Sequence, residues 1–171
     1  MLSNGYYLAC GLSNGNIHIY NIYDGLVSIL KGHTSYVNDL ILLSNSLLAS
    51  SSDDYTAKLW NTTTNTVRNT LSDHFWYVYG LIELSPSILA TASRDSMIRV
   101  YNTSNGNLIR TLKNHTDALY WSIDLSSDGK RLVSGSRDKT LKIWDWQITG
   151  QCLHTINTGL LINTVVPIRS K

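Results

Sequence analysis

The sequence RDKTLKIWD at residues 137–145 decides the fold, because its pattern returns along the chain at a fixed interval. The related stretches DDYTAKLWN at residues 53–61 and RDSMIRVYN at residues 94–102 keep the aspartate in the second place and an aromatic residue in the eighth. A histidine precedes each stretch, and these histidines, His33, His74 and His115, recur every 41 residues. A fixed period in this range predicts an array of equivalent structural units and not one irregular globule.

Each period is predicted to contain four short strands joined by tight turns. In the copy over residues 116–157, these strands are expected at residues 118–125, 130–136, 140–144 and 151–156. Ser-Ser-Asp-Gly at residues 126–129 separates the first two, and Asp-Gly between apolar runs marks a hairpin because glycine accepts a positive φ. No sustained helical period occurs in the chain. The sequence therefore predicts an all-β fold of small antiparallel sheets.

The repeated residues predict that residues 1–171 form a single domain, which is built from similar units. A partial unit is predicted at residues 1–34, and complete units are predicted at about residues 35–72, 76–113 and 117–157. Residues 160–168 are similar to the start of a complete unit and are predicted to form a final strand.

Composition limits the kind of partner that the protein can have. The net charge is +2 and only 15% of the residues are charged, whereas proteins that bind nucleic acids usually carry clustered Lys and Arg. Two cysteines, Cys10 and Cys152, are too few for a disulfide framework and favour a reducing compartment. The N-terminus lacks a signal-peptide pattern, and no segment approaches the ~20 apolar residues of a membrane helix. We therefore expect a cytoplasmic or nuclear protein that binds neither nucleic acids nor membranes.

The repeats resemble the WD-repeat (WD40) β-propeller family, in which units of about 40–45 residues carry Gly-His and Trp-Asp marks. Gly32-His33 and Trp144-Asp145 match these marks outright, whereas Asn114-His115 keeps only the histidine and Trp60-Asn61 keeps only the aromatic residue. The resemblance extends over essentially the whole chain. It implies a propeller segment of about four blades, each blade being a four-stranded antiparallel sheet.

The resemblance also implies a structural hydrogen-bonded network in each complete blade. In this family the network joins the histidine, a Ser or Thr of the second strand, the aspartate of the next turn and the aromatic residue of the third strand. The three sets carried over to this sequence are His33, Ser50 or Ser52, Asp54 and Trp60; His74, Thr91 or Ser93, Asp95 and Tyr101; and His115, Ser134 or Ser136, Asp138 and Trp144.

A Ser–His–Asp set also matches the residue types of a hydrolase triad. The set recurs in every complete repeat and no Gly-x-Ser-x-Gly elbow is present, which favours a structural role over catalysis. The repeating histidines fall in different blades, and no Cys-x-x-Cys or His-x-x-x-His motif occurs, so neither a metal site nor a cofactor is predicted.

Members of this family usually bind partners on the rim that holds the histidine and aspartate loops. By register, the rim residues of this chain are Tyr36, Asn38, Asp53, Trp76, Tyr77, Tyr79, Arg94, Tyr120 and Arg137. Tyr, Trp and Arg dominate interaction hot spots, so these residues predict a protein or peptide partner. The alternative is that Tyr79 and Tyr120 only line a water-filled channel and that Trp121 packs between blades.

We therefore expect a non-catalytic protein-interaction scaffold or adaptor that holds a peptide or a partner domain on its rim. One alternative is a regulatory or sensor propeller of a larger multidomain protein, such as a ubiquitin-ligase substrate receptor that reads acidic or phosphorylated peptides through Arg94 and Arg137. The other is a propeller enzyme, which would need a non-repeating cluster of His, Asp or Glu at the rim; the sequence predicts no such cluster.

The number of blades leaves three arrangements open. Closed propellers have typically 4–8 blades, and a seven-bladed WD-repeat ring needs roughly 300 residues at this period. The chain is then a fragment of a longer propeller, an open arc whose edge blades pair with another copy, or a ring that closes alone on four blades. Since unpaired edge strands promote association, self-association through the edge blades is expected for the open arc.

Overall fold

A computed structural model describes residues 7–168 of the chain and contains fifteen β-strands and no helix in that range. These strands are β1 (Tyr7–Gly11), β2 (Ile17–Asn21), β3 (Gly25–Leu30), β4 (Val37–Leu42), β5 (Leu48–Ser52), β6 (Ala57–Asn61), β7 (Thr66–Leu71), β8 (Val78–Ser85), β9 (Ile88–Ser93), β10 (Met97–Asn102), β11 (Leu108–Lys113), β12 (Ile123–Leu125), β13 (Leu132–Gly135), β14 (Thr140–Trp144) and β15 (Cys152–Asn157). The prediction of an all-β fold is confirmed. Residues 7–168 accordingly offer no helix that could span a membrane.

The strands form four antiparallel sheets in which each strand pairs with the next along the chain. We call them blade 1 (β1–β3), blade 2 (β4–β7), blade 3 (β8–β11) and blade 4 (β12–β15). Blade 1 has three strands and the others have four. The first strands of the complete blades lie near one another, since β4 contacts both β1 and β8, and β8 contacts β12. The blades are therefore arranged side by side with their first strands on a common inner side, as in a segment of a propeller.

The hydrophobic core lies between the blades. The second strand of each complete blade is almost wholly buried. In blade 2 this strand is β5, and all of its residues are buried: Leu48, Ala49, Ser50, Ser51 and Ser52. Small side chains on this strand allow the neighbouring blade to approach closely. Three buried clusters join blade 1 to blade 2 through Ile17, Leu30 and Trp60, blade 2 to blade 3 through Leu59, Leu71 and Leu89, and blade 3 to blade 4 through Ile98, Leu112 and Trp144.

The turn between the second and third strands has the same conformation in every complete blade. The residue after the turn aspartate has a positive φ, which is 72° at Tyr55, 68° at Ser96 and 66° at Lys139. In each turn the aspartate accepts a hydrogen bond from the backbone N–H two residues on, at 3.0 Å from Thr56, 3.0 Å from Met97 and 2.9 Å from Thr140. Because this local bond stabilises the turn, a residue other than glycine is held in the left-handed region.

Two expectations about the C-terminal part of the chain are wrong. Residues 160–168 were predicted to form a strand, but the structure assigns them no strand, because a ladder requires a neighbouring strand and blade 4 is already complete at β12. The strand predicted at residues 118–125 is confined to Ile123–Leu125, since Ala118 and Ser122 bond instead to separate residues of the following strand and turn.

The arrangement that closes alone on four blades is not adopted. Within residues 7–168, no strand of blade 4 pairs with a strand of blade 1, and the sheets form an open arc.

Candidate functional site

A buried hydrogen-bonded network connects the strands of blade 2 at one end of the sheet. His33 Nδ1 lies 2.7 Å from Asp54 Oδ2, and His33 Nε2 lies 2.7 Å from Ser50 Oγ. Trp60 Nε1 donates to the same Ser50 Oγ at 2.7 Å, and Thr56 Oγ1 donates to Asp54 at 2.6 Å. A neutral imidazole that donates through Nδ1 and accepts through Nε2 satisfies every one of these groups, which stabilises the buried set.

Blade 4 repeats this network with nearly identical distances. His115 Nδ1 lies 2.7 Å from Asp138, His115 Nε2 lies 2.7 Å from Ser134 Oγ, and Trp144 Nε1 donates to Ser134 Oγ at 2.8 Å. Of the two serines that the sequence offered for this network, Ser134 and Ser136, the structure therefore uses Ser134. The second, Ser136, instead donates to the backbone oxygen of Asp117 at 2.9 Å and holds the preceding loop.

The hydrogen-bonded network of blade 3 differs from the other two at its aromatic residue, which is Tyr101. His74 Nδ1 lies 2.8 Å from Asp95, and Nε2 lies 2.7 Å from Thr91 Oγ1, but the Tyr101 hydroxyl is buried and makes no hydrogen bond among the described residues. Tyr101 is therefore outside the network, contrary to the sequence-based expectation, because a phenol does not place its polar atom where an indole N–H lies. Burial and the nearby Asp73 carboxylate raise the pKa of Tyr101.

Arg99 enters the blade 3 network in a way that the sequence analysis missed. Its Nη1 lies 2.7 Å from Asp95 Oδ2 and also contacts His74 Nδ1, and the whole residue is only 3% exposed. The equivalent lysine of blade 2, Lys58, instead donates to Thr70 on the outer strand at 3.0 Å. The replacement of lysine by arginine at this repeat position was the available signal, because a planar guanidinium can pair with the carboxylate.

The networks do not expose a nucleophile. Ser50, Thr91 and Ser134 are each 0% exposed, and the two serines accept an indole N–H. A hydroxyl that no substrate can reach cannot act as the attacking group of a hydrolase triad. These three sets therefore serve the fold. Among the described residues, no group of three or more His, Cys, Asp or Glu side chains could hold a metal ion.

The networks shift the pKa values of their titratable groups. Burial lowers the pKa of His74 and of His115 below their ordinary value of 6.5, although each imidazole contacts a carboxylate. Burial raises the pKa of Asp138, but hydrogen bonds from Thr140, from the backbone N–H of Thr116 and from His115 outweigh it and lower this pKa to about 2. In the folded state, all three groups therefore bind protons less readily than in the unfolded chain.

We predict that acidification destabilises the protein in two stages. A group whose folded pKa is lowered contributes stability that is complete above its unfolded pKa and is lost as the pH falls through the folded value. The free energy of unfolding should therefore fall first below about pH 6.5, through His74 and His115, and again below about pH 4, through Asp138. Urea unfolding at a series of pH values measures this fall in the free energy of unfolding. A His115→Gln variant should show a weaker first stage, and an unchanged free energy between about pH 7.5 and 5.5 would contradict the prediction.

A repeated backbone hydrogen bond assembles the predicted rim at the same end of the sheets. The residue before each turn aspartate donates to the residue three places after the repeat histidine. These bonds join Asp53 to Tyr36 at 3.0 Å, Arg94 to Tyr77 at 2.9 Å and Arg137 to Ala118 at 3.0 Å. The rim side chains of one blade are thus neighbours in space, although 17 to 19 residues separate them along the chain.

Five aromatic side chains of blades 3 and 4 form a continuous surface on this rim. We call Trp76, Tyr77, Tyr79, Tyr120 and Trp121 the aromatic rim. Neighbouring ring centroids are 6.1 Å apart for Trp76 and Tyr77, 6.2 Å for Tyr77 and Tyr79, 4.9 Å for Tyr79 and Tyr120, and 5.2 Å for Tyr79 and Trp121. Trp76 and Trp121 are 45% and 51% exposed, so the surface is open to a partner.

Two guanidinium groups flank the aromatic rim. The Arg94 guanidinium lies over the rings of Trp76 and Tyr77, at 5.4 Å and 5.7 Å from their centroids. Arg137 Nη1 donates to the Tyr120 hydroxyl at 3.3 Å, on the other side of the Tyr79–Tyr120 pair. Arg137 also borders a pocket of about 410 Å³ that is lined further by Tyr120, Trp121, Leu161 and Asn163.

The blade 2 part of the predicted rim has a different role. Asn38 Nδ2 donates to Asp53 Oδ1 at 2.8 Å and to the backbone oxygen of Val78 at 2.9 Å, so Asn38 connects blade 2 to blade 3 and also holds Asp53. Tyr36 is 57% exposed on the same end. Among the predicted rim residues, Asn38 and Asp53 are thus engaged in hydrogen bonds, whereas the aromatic residues form an open surface.

Sequence reasoning missed two aromatic residues of this end. Trp121 does not pack in the interior between blades, but lies against Tyr79 with its Nε1 3.4 Å from the Asn38 backbone oxygen. Tyr55, the residue with positive φ in the blade 2 turn, lies 5.6 Å from Tyr77 between ring centroids. Its place immediately after the turn aspartate was the signal, because that position lies at the tip of the rim turn.

Comparisons with known proteins agree with the repeat fold. Residues 25–61 and 106–145 match the family "WD domain, G-beta repeat". The first match begins at the start of β3 and the second begins just before β11. They end at Asn61 and Asp145, the residues that follow the aromatic marks Trp60 and Trp144 in the third strand of the next blade. Together with the four blade-like sheets, these matches support a WD-repeat family for the chain. Proteins with such repeats are generally interaction scaffolds and are generally non-catalytic.

One curated relative shares part of the repeat region. The chain is 39% identical over 57 residues to "Restriction of telomere capping protein 1" of Clavispora lusitaniae (strain ATCC 42720). The matched region is 31% of this chain, and it covers 5% of the length of that relative.

Proposed function

We propose that the aromatic rim binds an extended peptide or a loop of a partner protein and that the chain acts as a non-catalytic adaptor or scaffold. The observation that carries this proposal is the open contact of Tyr79 with Tyr120 and Trp121, which combines side chains of two blades in one surface. Large aromatic side chains supply contact area at little cost in side-chain entropy and are enriched at interaction hot spots.

The rigidity of the supporting blades favours this use of the surface. Each rim loop is fixed by the backbone bond of its turn and by the buried histidine–aspartate network behind it. A surface that is ordered before binding loses little conformational entropy when the partner arrives. The blades therefore present the rim in a form that is ready to bind.

We further propose that the partner segment carries acidic or phosphorylated side chains. Arg94 and Arg137 flank the Tyr79–Tyr120 pair, and guanidinium groups bind carboxylates and phosphates with charge-assisted hydrogen bonds. Asp53, the acidic member of the predicted rim, is already bonded to Asn38. Such a partner fits both a general adaptor and the substrate receptor of a larger assembly, and it is expected in the cytoplasm or the nucleus.

We predict that Tyr79→Ala and Arg94→Ala each weaken partner binding by about 1–3 kcal/mol, or roughly 5- to 150-fold in Kd. Tyr79 would lose contact area in the centre of the aromatic rim, and Arg94 would lose both its stacking and its charge. The partner is first identified by quantitative affinity capture with the tagged chain and both variants. Titration of the purified partner against each protein then gives the Kd values.

The matched control is Ile148→Ala. Ile148 is 76% exposed in the turn between β14 and β15, at the opposite end of the sheets from the rim. This variant should bind the partner as the unchanged chain does, and urea unfolding should show that all three variants remain folded. A partner that binds Tyr79→Ala and Arg94→Ala with unchanged Kd would refute the rim proposal, and binding insensitive to added salt would refute its acidic part.

A further inference from the structure

The rings of the aromatic rim are steeply inclined to one another. The ring planes of Trp76 and Tyr77 meet at 76°, and those of Tyr77 and Tyr79 meet at 71°. Tyr79 is also tilted by 45° against Tyr120 and by 51° against Trp121. The edge of one ring therefore stands beside the face of the next and leaves a notch between them. Such notches accept compact apolar groups, whereas a flat stack of rings would suit a planar ligand.

The backbone oxygens below these rings already accept hydrogen bonds. Ser93 Oγ donates to the backbone oxygen of Trp76 at 3.3 Å and to that of Tyr77 at 2.9 Å. Ser51 Oγ donates to the backbone oxygen of Tyr79 at 3.0 Å. A ligand N–H that reached these oxygens would have to compete with bonds that the protein makes within itself. The aromatic rim therefore offers poor main-chain acceptors to a peptide that carries many N–H groups.

The same surface does offer hydrogen-bond donors. Trp76 is 45% exposed, and its indole N–H bonds to no acceptor within residues 7–168. The Tyr120 hydroxyl accepts a hydrogen bond from Arg137 at 3.3 Å, which leaves its own proton for another acceptor. The guanidinium of Arg94, which only donates, lies over the rings of Trp76 and Tyr77. The aromatic rim thus suits a ligand that brings carbonyl oxygens and few N–H groups.

We propose that the aromatic rim binds a proline-rich segment in the polyproline II conformation, with acidic residues at its ends. This inference rests on the proposed function and names the chemistry of the bound segment. Proline has no N–H, and a polyproline II chain has no internal hydrogen bonds, so its carbonyl oxygens are available to the rim donors. The compact, puckered ring of proline fits a notch between inclined aromatic rings. Such a chain is also extended before it binds, so it loses little conformational entropy.

The spacing of the rings agrees with this conformation. Ring centroids are 6.1 Å apart for Trp76 and Tyr77 and 6.2 Å apart for Tyr77 and Tyr79. A polyproline II chain rises ~3.1 Å per residue, so each of these steps corresponds to about two residues. Because the chain has three residues per turn, two of every three can touch a surface on which it lies. Acidic residues at the two ends of the segment would then pair with Arg94 and Arg137.

Two labelled peptides of equal charge test the inference. Both carry a fluorescein and a glutamate at each end; one has a run of six prolines between the glutamates, and the other has alternating glycine and serine in their place. Fluorescence anisotropy with the whole chain gives the Kd of each peptide. We expect the proline peptide to bind at least about 10-fold more tightly, because the two peptides differ only in the chemistry that the rim is proposed to recognise.

Variants of Trp76 place the peptide on the rim. Trp76→Phe keeps an aromatic ring and removes the indole N–H, so it should weaken binding of the proline peptide by roughly 3- to 10-fold. Trp76→Ala also removes the wall of a notch and should weaken binding further. Ile148→Ala is again the matched control and should bind the peptide as the unchanged chain does, and urea unfolding should show that all three variants are folded.

The outcomes separate this inference from the proposed function. Equal Kd values for the two peptides, or no binding of the proline peptide at millimolar concentration, would overturn the inference. Binding of the proline peptide that neither Trp76 variant changes would also overturn it, because the peptide would then lie elsewhere. The rim proposal is judged separately, by whether the captured partner loses affinity for the Tyr79→Ala and Arg94→Ala variants.

Discussion

Replacing Trp60 with alanine is expected to lower the free energy of unfolding by about 3–5 kcal/mol. Trp60 is 0% exposed and belongs to the cluster that joins blade 1 to blade 2, where it packs with Ile17, Ile19, Leu30 and Leu48. Truncation leaves a cavity between two blades and removes the indole N–H that Ser50 accepts. Urea unfolding followed by far-UV circular dichroism measures the change, because the loss of an indole does not distort that signal as it distorts fluorescence.

Tyr101→Phe is the matched control for this prediction, because Tyr101 holds the equivalent position in blade 3. Its hydroxyl is buried and makes no hydrogen bond within residues 7–168, so its removal should change the free energy of unfolding by less than about 1 kcal/mol. Trp60→Phe should fall between the two, since it keeps much of the volume and loses the bond to Ser50. A loss below about 1 kcal/mol for Trp60→Ala would show that the blades do not depend on this contact.

Asp138→Ala is expected to cost about 3 kcal/mol, because it removes one carboxylate from four donors, one of which belongs to the buried His115. Asp138 accepts from His115 Nδ1 at 2.7 Å, from the Thr116 backbone N–H at 3.0 Å, and from the Thr140 backbone N–H and hydroxyl at 2.9 Å and 2.6 Å. The buried His115 Nδ1 would then remain without its carboxylate partner. Urea unfolding gives the total loss, and hydrogen exchange should show faster exchange at the Thr116 and Thr140 amides.

The control for the second prediction is Asp128→Ala. Asp128 also accepts two local hydrogen bonds, from Ser126 Oγ at 2.6 Å and from the Lys130 N–H at 3.0 Å, but it lies exposed in the hairpin turn of the same blade. Its loss should cost less than about 1 kcal/mol, since water can replace both bonds. Equal costs for the two variants would mean that the histidine–aspartate network contributes no more than an ordinary turn.

The repeat pattern was sufficient to predict the fold and the positions of the network histidines and aspartates. Strand alternation, turn residues and a 41-residue histidine spacing are local or periodic properties, and they are visible without coordinates. The equivalence of His33 and His115 followed directly from this period, and the structure gives them equivalent hydrogen bonds. Where the repeat itself changes, at Arg99 and Tyr101, the pattern could not say how the new side chains would be arranged.

The repeat pattern could not predict which side chains of neighbouring blades contact each other. Register placed Tyr79 and Tyr120 on the same rim, but it did not show that their ring centroids lie 4.9 Å apart or that Trp121 joins them. Such contacts depend on the angle and distance between two sheets, which many side chains of the intervening core set together.

The sequence by itself determined an all-β chain of repeated four-stranded units, because periodicity and turn chemistry act within a few residues of the chain. Only the tertiary structure decided that the blades form an open arc, that Trp76, Tyr77, Tyr79, Tyr120 and Trp121 form one surface, and that residues 160–168 form no strand. The physical reason is that ring closure, surface contact and strand pairing each require two distant parts of the chain to meet, and packing between the blades sets where those parts lie.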